Sequence, residues 1–357
     1  MHRRFYRSIG DVGVIGNREA NRAMINGRRE FVNLELCSRK QKRDSTHRTG
    51  FTCETLPVTF CDHILGMYLD VGDGHRMYYE EHGSPSGRPV VVLHGGPGGG
   101  LSRGILRKFN LKRWRVILYD QRGCGRSTPY LSIHKNTTWD LVADLEKLRT
   151  ACNVTAWTVF GGSWGTTLAL AYASKHMDRI TAFVLRGVCL MEPWETEWLY
   201  SEGGASRLYP DAFAEFASFA KRSTDLTKTY KRLLSNRKTR KAAAASWWGW
   251  ESAISSLNPK PDTTSPRVTL SLAILENHYF SHNAWIRSGE LLKTASRIPA
   301  SVPVYIVQGR YDLVCPPASA FALAKAVPHA QLRFTQAGHS ASDPENDKGL
   351  REALRLL

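Results

Sequence analysis

No stretch of the chain approaches the ~20 consecutive apolar residues that a membrane-spanning helix needs. Residues 1–30 also hold no continuous apolar segment of the kind a secretory signal carries. No Cys-x-x-Cys pair occurs, and the seven cysteines, at 37, 53, 61, 124, 152, 189 and 315, are odd in number and scattered. That argues against a zinc ribbon and a disulfide framework and for reduced thiols, with a cytoplasmic location expected. Acid is scarce: 32 Asp and Glu stand against 49 Lys and Arg, a formal net charge of +17. Twelve bases and five acids, a balance of +7, fall in residues 1–50. A second concentration lies between Arg207 and Lys241 and includes "NRKTRK" at 236–241. That run sits among helix formers and reads as a solvated helix face, so neither nucleic acid nor a membrane is expected as a partner. The sequence leaves oligomeric state open.

What is present is a globular chain of 357 residues, long enough for one large domain with an insertion or for two small domains. Residues 1–52 are basic, show little apolar periodicity and are expected to lack order. An organelle transit segment is the competing reading, and Asp11, Glu19 and Glu30 weaken it. From about Asp70 short apolar runs alternate with helical spacing. "RMYYEEHG" (76–83), "PVVVLHGG" (89–96), "RVILYDQRG" (115–123), "WTVF" (157–160) and "ITAFVLRG" (180–187) read as strands. Residues 138–152 and 164–176 read as helices between them. The pattern predicts an α/β fold with a mostly parallel, doubly covered sheet. The alternation stops at about 191 and resumes with "VPVYIVQG" (302–309) and "QLRFT" (331–335). Between them lie helical segments with six of the ten tryptophans. The division expected is therefore a core at 53–190, a helical cap at 191–297 and a second core segment at 298–357.

Four loops carry the chemistry. "GGSWG" (161–165) stands between a strand and a helix and matches the G-x-S-x-G nucleophile elbow, which lifts the serine, here Ser163, above the sheet edge. A serine needs a base and the base needs an orienting acid. "AGHS" (337–340) and "GRYD" (309–312) each follow a strand signal, so the order Ser163, Asp312, His339 is the one this fold requires. Asp343 is the rival acid, but it lies four residues from His339 and follows no strand. "HGGPGGG" (94–100) follows another strand. The Gly96 and Trp164 N–H groups are the candidate oxyanion hole. A phosphate-binding loop is the competing reading, and it fails because no Lys-Ser/Thr follows and Pro97 lacks a donor. His94 reads as structural, and Cys124 in "DQRGCGRS" (120–127) is the alternative nucleophile with no histidine better placed for it. "SWWGWE" (246–251) is the unexplained stretch. On one helix over 241–257, Trp247, Trp250 and Glu251 share a face.

Taken together these motifs resemble the proline iminopeptidases (prolyl aminopeptidases) of the α/β-hydrolase fold. The resemblance runs from about Leu56 to near the C-terminus, and "HGGPGGG", "DQRGCGRS", "GGSWG" and "ENHYF" carry it jointly. It implies a serine exopeptidase that removes N-terminal proline from short peptides through Ser163, His339 and Asp312, with no metal or other cofactor. An esterase or amidase of the same fold, or a non-catalytic binding protein, is the alternative. The resemblance further implies that Glu251 and Glu276, the first residue of "ENHYF", hold the substrate amino group, with Cys189 and Tyr200 in the pocket wall. Residues 1–50 have no counterpart in the short bacterial members. Cys189, in "LRGVCL", stands where the family commonly has an aromatic, and this departure bears on how strictly proline is preferred.

Overall fold

The computed structural model describes residues 22–25, 28–31, 66–221, 223–258 and 261–357. Within the segment expected to lack order, β1 (Arg22–Ile25) and β2 (Arg28–Phe31) pair antiparallel. The rest of residues 1–52, and with it most of that expectation, lies outside the described residues. Residues 1–61 and 62–357 are separate units.

The larger unit is built on eight strands: β3 (Met67–Gly72), β4 (His75–Gly83), β5 (Arg88–Leu93), β6 (Trp114–Tyr119), β7 (Trp157–Ser163), β8 (Ile180–Val188), β9 (Val304–Gly309) and β10 (Gln331–Thr335). Their order is β10-β9-β8-β7-β5-β6-β4-β3. The β3–β4 and β4–β6 pairs are antiparallel, and every other pair is parallel. The first of these strands, β3, is absent from the sequence reading. It is an edge strand whose residues are mostly half-buried or exposed, so "MYLDVG" shows no strong apolar face.

Strand periodicity of two sorts the apolar residues onto two faces. Val91, Leu93, Ile117, Tyr119, Val159, Phe183, Leu185 and Ile306 face one core, filled by α1 (Thr138–Ala151), α2 (Trp164–His176) and residues both within and after the β8–β9 connection. Their neighbours Val90, Val92, Val116, Leu118, Phe160, Val184 and Val307 face the other core, closed by Phe109 and by the last helix of the chain. This is why the parallel strands read as continuous apolar runs: both faces are covered.

Between β8 and β9 the chain forms α3 (Pro193–Tyr200), α4 (Pro210–Phe219), α5 (Leu226–Ser235), α6 (Arg240–Ile254), α7 (Pro266–Phe280) and α8 (Glu290–Ala295). α9 (Pro317–Ala326) and α10 (Pro344–Leu356) complete the core. Residues from Leu199 to Ala273 have an apolar cluster of their own, rich in aromatics, centred on Phe216, Tyr230, Trp247 and Trp250. α8 instead packs on α2 and α9. α7 reaches back to the sheet. The Ser271 hydroxyl donates to the Gly98 carbonyl at 2.8 Å, and a side chain at Gly98 would meet the Ser271 carbonyl at 2.5 Å. Glycine there lets α7 lie directly on the "HGGPGGG" loop.

Candidate active site

All the loops singled out in the sequence emerge at one edge of the sheet, after β5, β6, β7, β9 and β10. The chain switches direction between β5 and β7, which opens a crevice at the strand ends. Ser163 ends β7 with φ 57° and ψ −128°, a left-handed conformation that a non-glycine residue holds only under constraint. The constraint is steric on both sides. A Cβ at Gly161 would come within 2.5 Å of the Gly165 carbonyl, and one at Gly165 within 2.2 Å of the Leu93 carbonyl. Trp164 opens α2, so its N–H is among the helical donors with no acceptor in the preceding turn.

His339 and Asp312 meet as the sequence order suggested. The His339 Nδ1–H donates to Asp312 Oδ2 at 2.9 Å, with Oδ1 at 3.0 Å. Asp312 is itself held by the Val314 and Cys315 N–H groups and by the Gln308 amide. The second histidine nitrogen faces a residue that sequence reasoning passed over. Arg186 Nη1 lies 3.2 Å from His339 Nε2 and donates to the His339 carbonyl at 2.7 Å. A guanidinium has only donors. Nε2 is therefore the unprotonated nitrogen and Nδ1 carries the proton, which is the tautomer that a base at Nε2 requires. Burial pushes the Arg186 pKa down, and its Nε finds no partner. Among the described residues no hydrogen bond joins Ser163 to His339; the Ser163 hydroxyl faces Cys315 Sγ at 3.9 Å.

In front of Ser163 lies a cavity of about 360 Å³. Ser163, Trp164, Gly96, Arg186 and His339 line its floor, and Tyr200, Glu251, Glu276, Cys189, Cys315 and Trp248 line its walls. Every expected site residue but Asp312 therefore lies on one cavity, and Asp312 stands behind His339. Glu251 and Glu276 are both buried and face one another. The Tyr200 hydroxyl donates to Glu251, and the Trp247 indole donates to Glu276 at 2.7 Å. Burial is the first cause of a rise in both carboxyl pKa values: Glu251 is pushed up to about 7 and Glu276 well above the carboxylate range. The negative charge of Glu251 adds to the rise at Glu276. Two carboxyls this close share a proton.

The tryptophan cluster divides its labour. α6 ends at Ile254, short of the expected 257. Trp247 and Trp250 are fully buried, and Trp250 donates to the Leu199 carbonyl. Trp248, off their face, is the one that lines the cavity, with its indole held by Asp262 at 2.6 Å.

The alternatives are occupied elsewhere. Asp343 precedes α10 and takes hydrogen bonds from the Gly338 N–H and the Ser256 hydroxyl. The His94 Nδ1–H donates to the Gly95 carbonyl, Nε2 accepts from the Gln121 N–H, and burial lowers the ring pKa. Burial pushes the Cys124 thiol far up, away from the thiolate a nucleophile needs. His94, Asp120 and Cys124 are the one group of three potential metal ligands among the described residues. Asp120 there already accepts from the Leu101 and Arg126 N–H groups.

A family model described as alpha/beta hydrolase fold matches residues 88–345. Solved structures agree on the fold. An esterase from Exiguobacterium antarcticum superposes with a TM-score of 0.56 at 20% identity, covering 82% of this chain and 99% of that one. A putative aryl esterase from Burkholderia cenocepacia gives 0.59 at 19% identity, covering 82% and 98%. The fold and the elbow thus define an α/β hydrolase. Within that class, proline iminopeptidases are similar over most of their length. One from Xylella fastidiosa (strain Temecula1 / ATCC 700964) is 48% identical over 299 residues, 81% of this chain and 94% of the relative. One from Neisseria meningitidis serogroup A is 45% identical over 292 residues, 80% and 94%. One from Arabidopsis thaliana is 45% identical over 287 residues, 77% and 75%. The chain belongs to the proline iminopeptidase family and is a serine aminopeptidase.

Proposed function

We propose that this enzyme releases N-terminal proline from short peptides through a prolyl-enzyme intermediate on Ser163. The observation that carries the reading is the buried pair Glu251 and Glu276 in the same cavity as the elbow serine. A proline at a peptide's N-terminus is an apolar ring bearing a secondary ammonium. The cavity offers the complementary pair, aromatic and sulfur-containing walls and two carboxyls.

The segment at 191–297 acts as the cap that supplies this subsite. The arriving ammonium is stabilised by carboxylate, so binding drives the shared proton out of the pair. It fixes the proline carbonyl over Ser163. His339 Nε2 takes the Ser163 proton as the hydroxyl attacks, and Asp312 stabilises the resulting imidazolium. The Gly96 and Trp164 N–H groups receive the oxyanion. His339 returns its proton to the departing amine, and water, activated by the same nitrogen, releases proline and restores Ser163. The attack requires the Ser163 hydroxyl to leave Cys315 for His339, a contact of the kind that often tightens only with substrate bound.

A panel of aminoacyl-β-naphthylamides tests the reading. A kcat/KM for the prolyl substrate well above that for alanyl and leucyl substrates is expected. Equal rates across the panel, or hydrolysis of simple esters alone, would replace it with a broad esterase or amidase.

A further inference from the structure

Five cationic side chains gather where the peptidase reading has no use for them. Arg107, Lys108, Arg113, Arg351 and Arg355 line one cavity of about 280 Å³, and no Asp or Glu is among its lining residues. The cavity sits where β6 begins and α10 ends. β6 runs parallel to β5, so this is the edge of the sheet opposite Ser163. Lys108 donates to Asp347 and to the Ala341 carbonyl at 2.9 Å, and Arg351 donates to the same Asp347 at 2.6 Å. Arg107, Arg113 and Arg355 have no carboxylate within ion-pair distance among the described residues. Burial lowers the Lys108 pKa, and the Arg351 charge beside it adds to the fall. Like charges around one concavity repel, and its walls of low dielectric focus their field on whatever enters. We propose that this cavity binds a diphosphate, either free pyrophosphate or the diphosphate end of a larger molecule.

The chemistry of the lining selects this ligand. A guanidinium offers a planar fork of donors that matches two phosphate oxygens at once, and three of these forks are uncommitted. Five positive charges face one carboxylate, so a single carboxylate ligand would leave most of the charge unanswered. The carbonyl end of α10 is nearby, and its partial negative charge is outweighed by five whole positive ones. A volume of about 280 Å³ is at the small end of ligand sites, which run ~300–1,000 Å³, and favours a compact anion. Phe109 and Trp114 also line the cavity, packed edge to face and only 7% and 3% exposed. Neither ring has a face open for a nucleobase to stack on, so recognition rests on the phosphates.

Binding is read without catalysis, so the outcome is independent of the peptidase reading. The full-length enzyme is titrated calorimetrically with pyrophosphate, ADP and sulfate, in metal-free buffer of one low ionic strength. Wild type, Arg113→Gln and Arg355→Gln are compared with Lys293→Gln. Lys293 lines a second basic cavity, beside α8, in which Glu290 already pairs with Arg287 at 3.7 Å. All three replaced residues are exposed, so each variant should keep the wild-type melting temperature. Expected are one pyrophosphate per chain, a Kd raised at least about tenfold by either arginine change and unmoved by Lys293→Gln, and sulfate at least about tenfold weaker than pyrophosphate. ADP bound as tightly as pyrophosphate assigns the diphosphate end of a larger molecule, and ADP bound more weakly assigns free pyrophosphate. No saturable binding, a loss shared equally by Lys293→Gln, or sulfate equal to pyrophosphate would overturn the proposal and leave a solvated basic face.

Discussion

Replacing Glu251 with glutamine should weaken catalysis and strengthen the fold at the same time. Burial holds the Glu251 carboxyl up to about 7. Its folded pKa is thus above its unfolded value, near 4.5 for an ordinary glutamate. The stabilising effect of the raised pKa is complete below the unfolded value and is lost as pH climbs through the folded one. At pH above about 7 the native state therefore carries a buried charge that the unfolded chain would ionise freely. The gap of two to three pKa values corresponds to about 3 kcal/mol, an upper figure because the proton is shared with Glu276. Glu251→Gln should relieve part of it, since glutamine still accepts the Tyr200 hydroxyl, and the melting temperature at mildly alkaline pH should rise. On the proposed reading the same change removes a charge-assisted bond to the substrate ammonium, worth ~1.5–3 kcal/mol, so kcat/KM for prolyl-naphthylamide should fall about tenfold to a hundredfold. The decisive measurement is the ratio of kcat/KM for the prolyl substrate to that for a simple ester without an amine, against pH. On the proposed mechanism Ser163, His339 and Asp312 act on both substrates, so their contribution cancels. In wild type the ratio should fall as pH drops below about 7, as Glu251 is protonated and loses its hold on the ammonium, and level off at about the tenfold to hundredfold loss expected of Glu251→Gln. A flat ratio, or a variant that loses ester and prolyl activity equally, would show that these carboxyls do not read the amino terminus.

Other outcomes follow from the same geometry. Ser163→Ala should lower kcat by about 10⁶ and leave the melting curve in place, because the side chain projects into the cavity; a tenth of wild-type rate remaining would return Cys124 to consideration. Cys189→Phe should sharpen the proline-over-alanine ratio, read from paired kcat/KM values, by an amount equivalent to ~1–3 kcal/mol as the ring refills the wall; an unchanged ratio would mean that residue 189 does not set the pocket width. Gly165→Ala should destabilise the fold by ~1–3 kcal/mol in a urea titration, since its Cβ would sit 2.2 Å from the Leu93 carbonyl, a backbone atom that cannot rotate away.

The sequence by itself determined what depends on near neighbours along the chain. Glycines at 161 and 165 are needed because the turn brings Gly161, Gly165 and the end of β5 together, and that requirement shows as a five-residue pattern. β5 to β9 are legible because strands covered on both faces must be apolar nearly throughout. Ser163, Asp312 and His339 could be set in order because each follows a strand, and parallel strands deliver their C-terminal ends to one edge of the sheet. The tertiary structure decided what depends on contacts between distant segments. Arg186 looks like an ordinary residue of "LRG" until β8 brings it under His339, more than 150 positions away. Trp248 lines the cavity while Trp247 and Trp250 are buried, because the apolar cluster of the intervening helices lies on one side of α6. Cys315 beside Ser163, and Tyr200 beside Glu251, are pairings with no local pattern. Their positions follow from how α3, α6 and the loop after β9 pack, and packing is a sum over many weak contacts that no short stretch of sequence records.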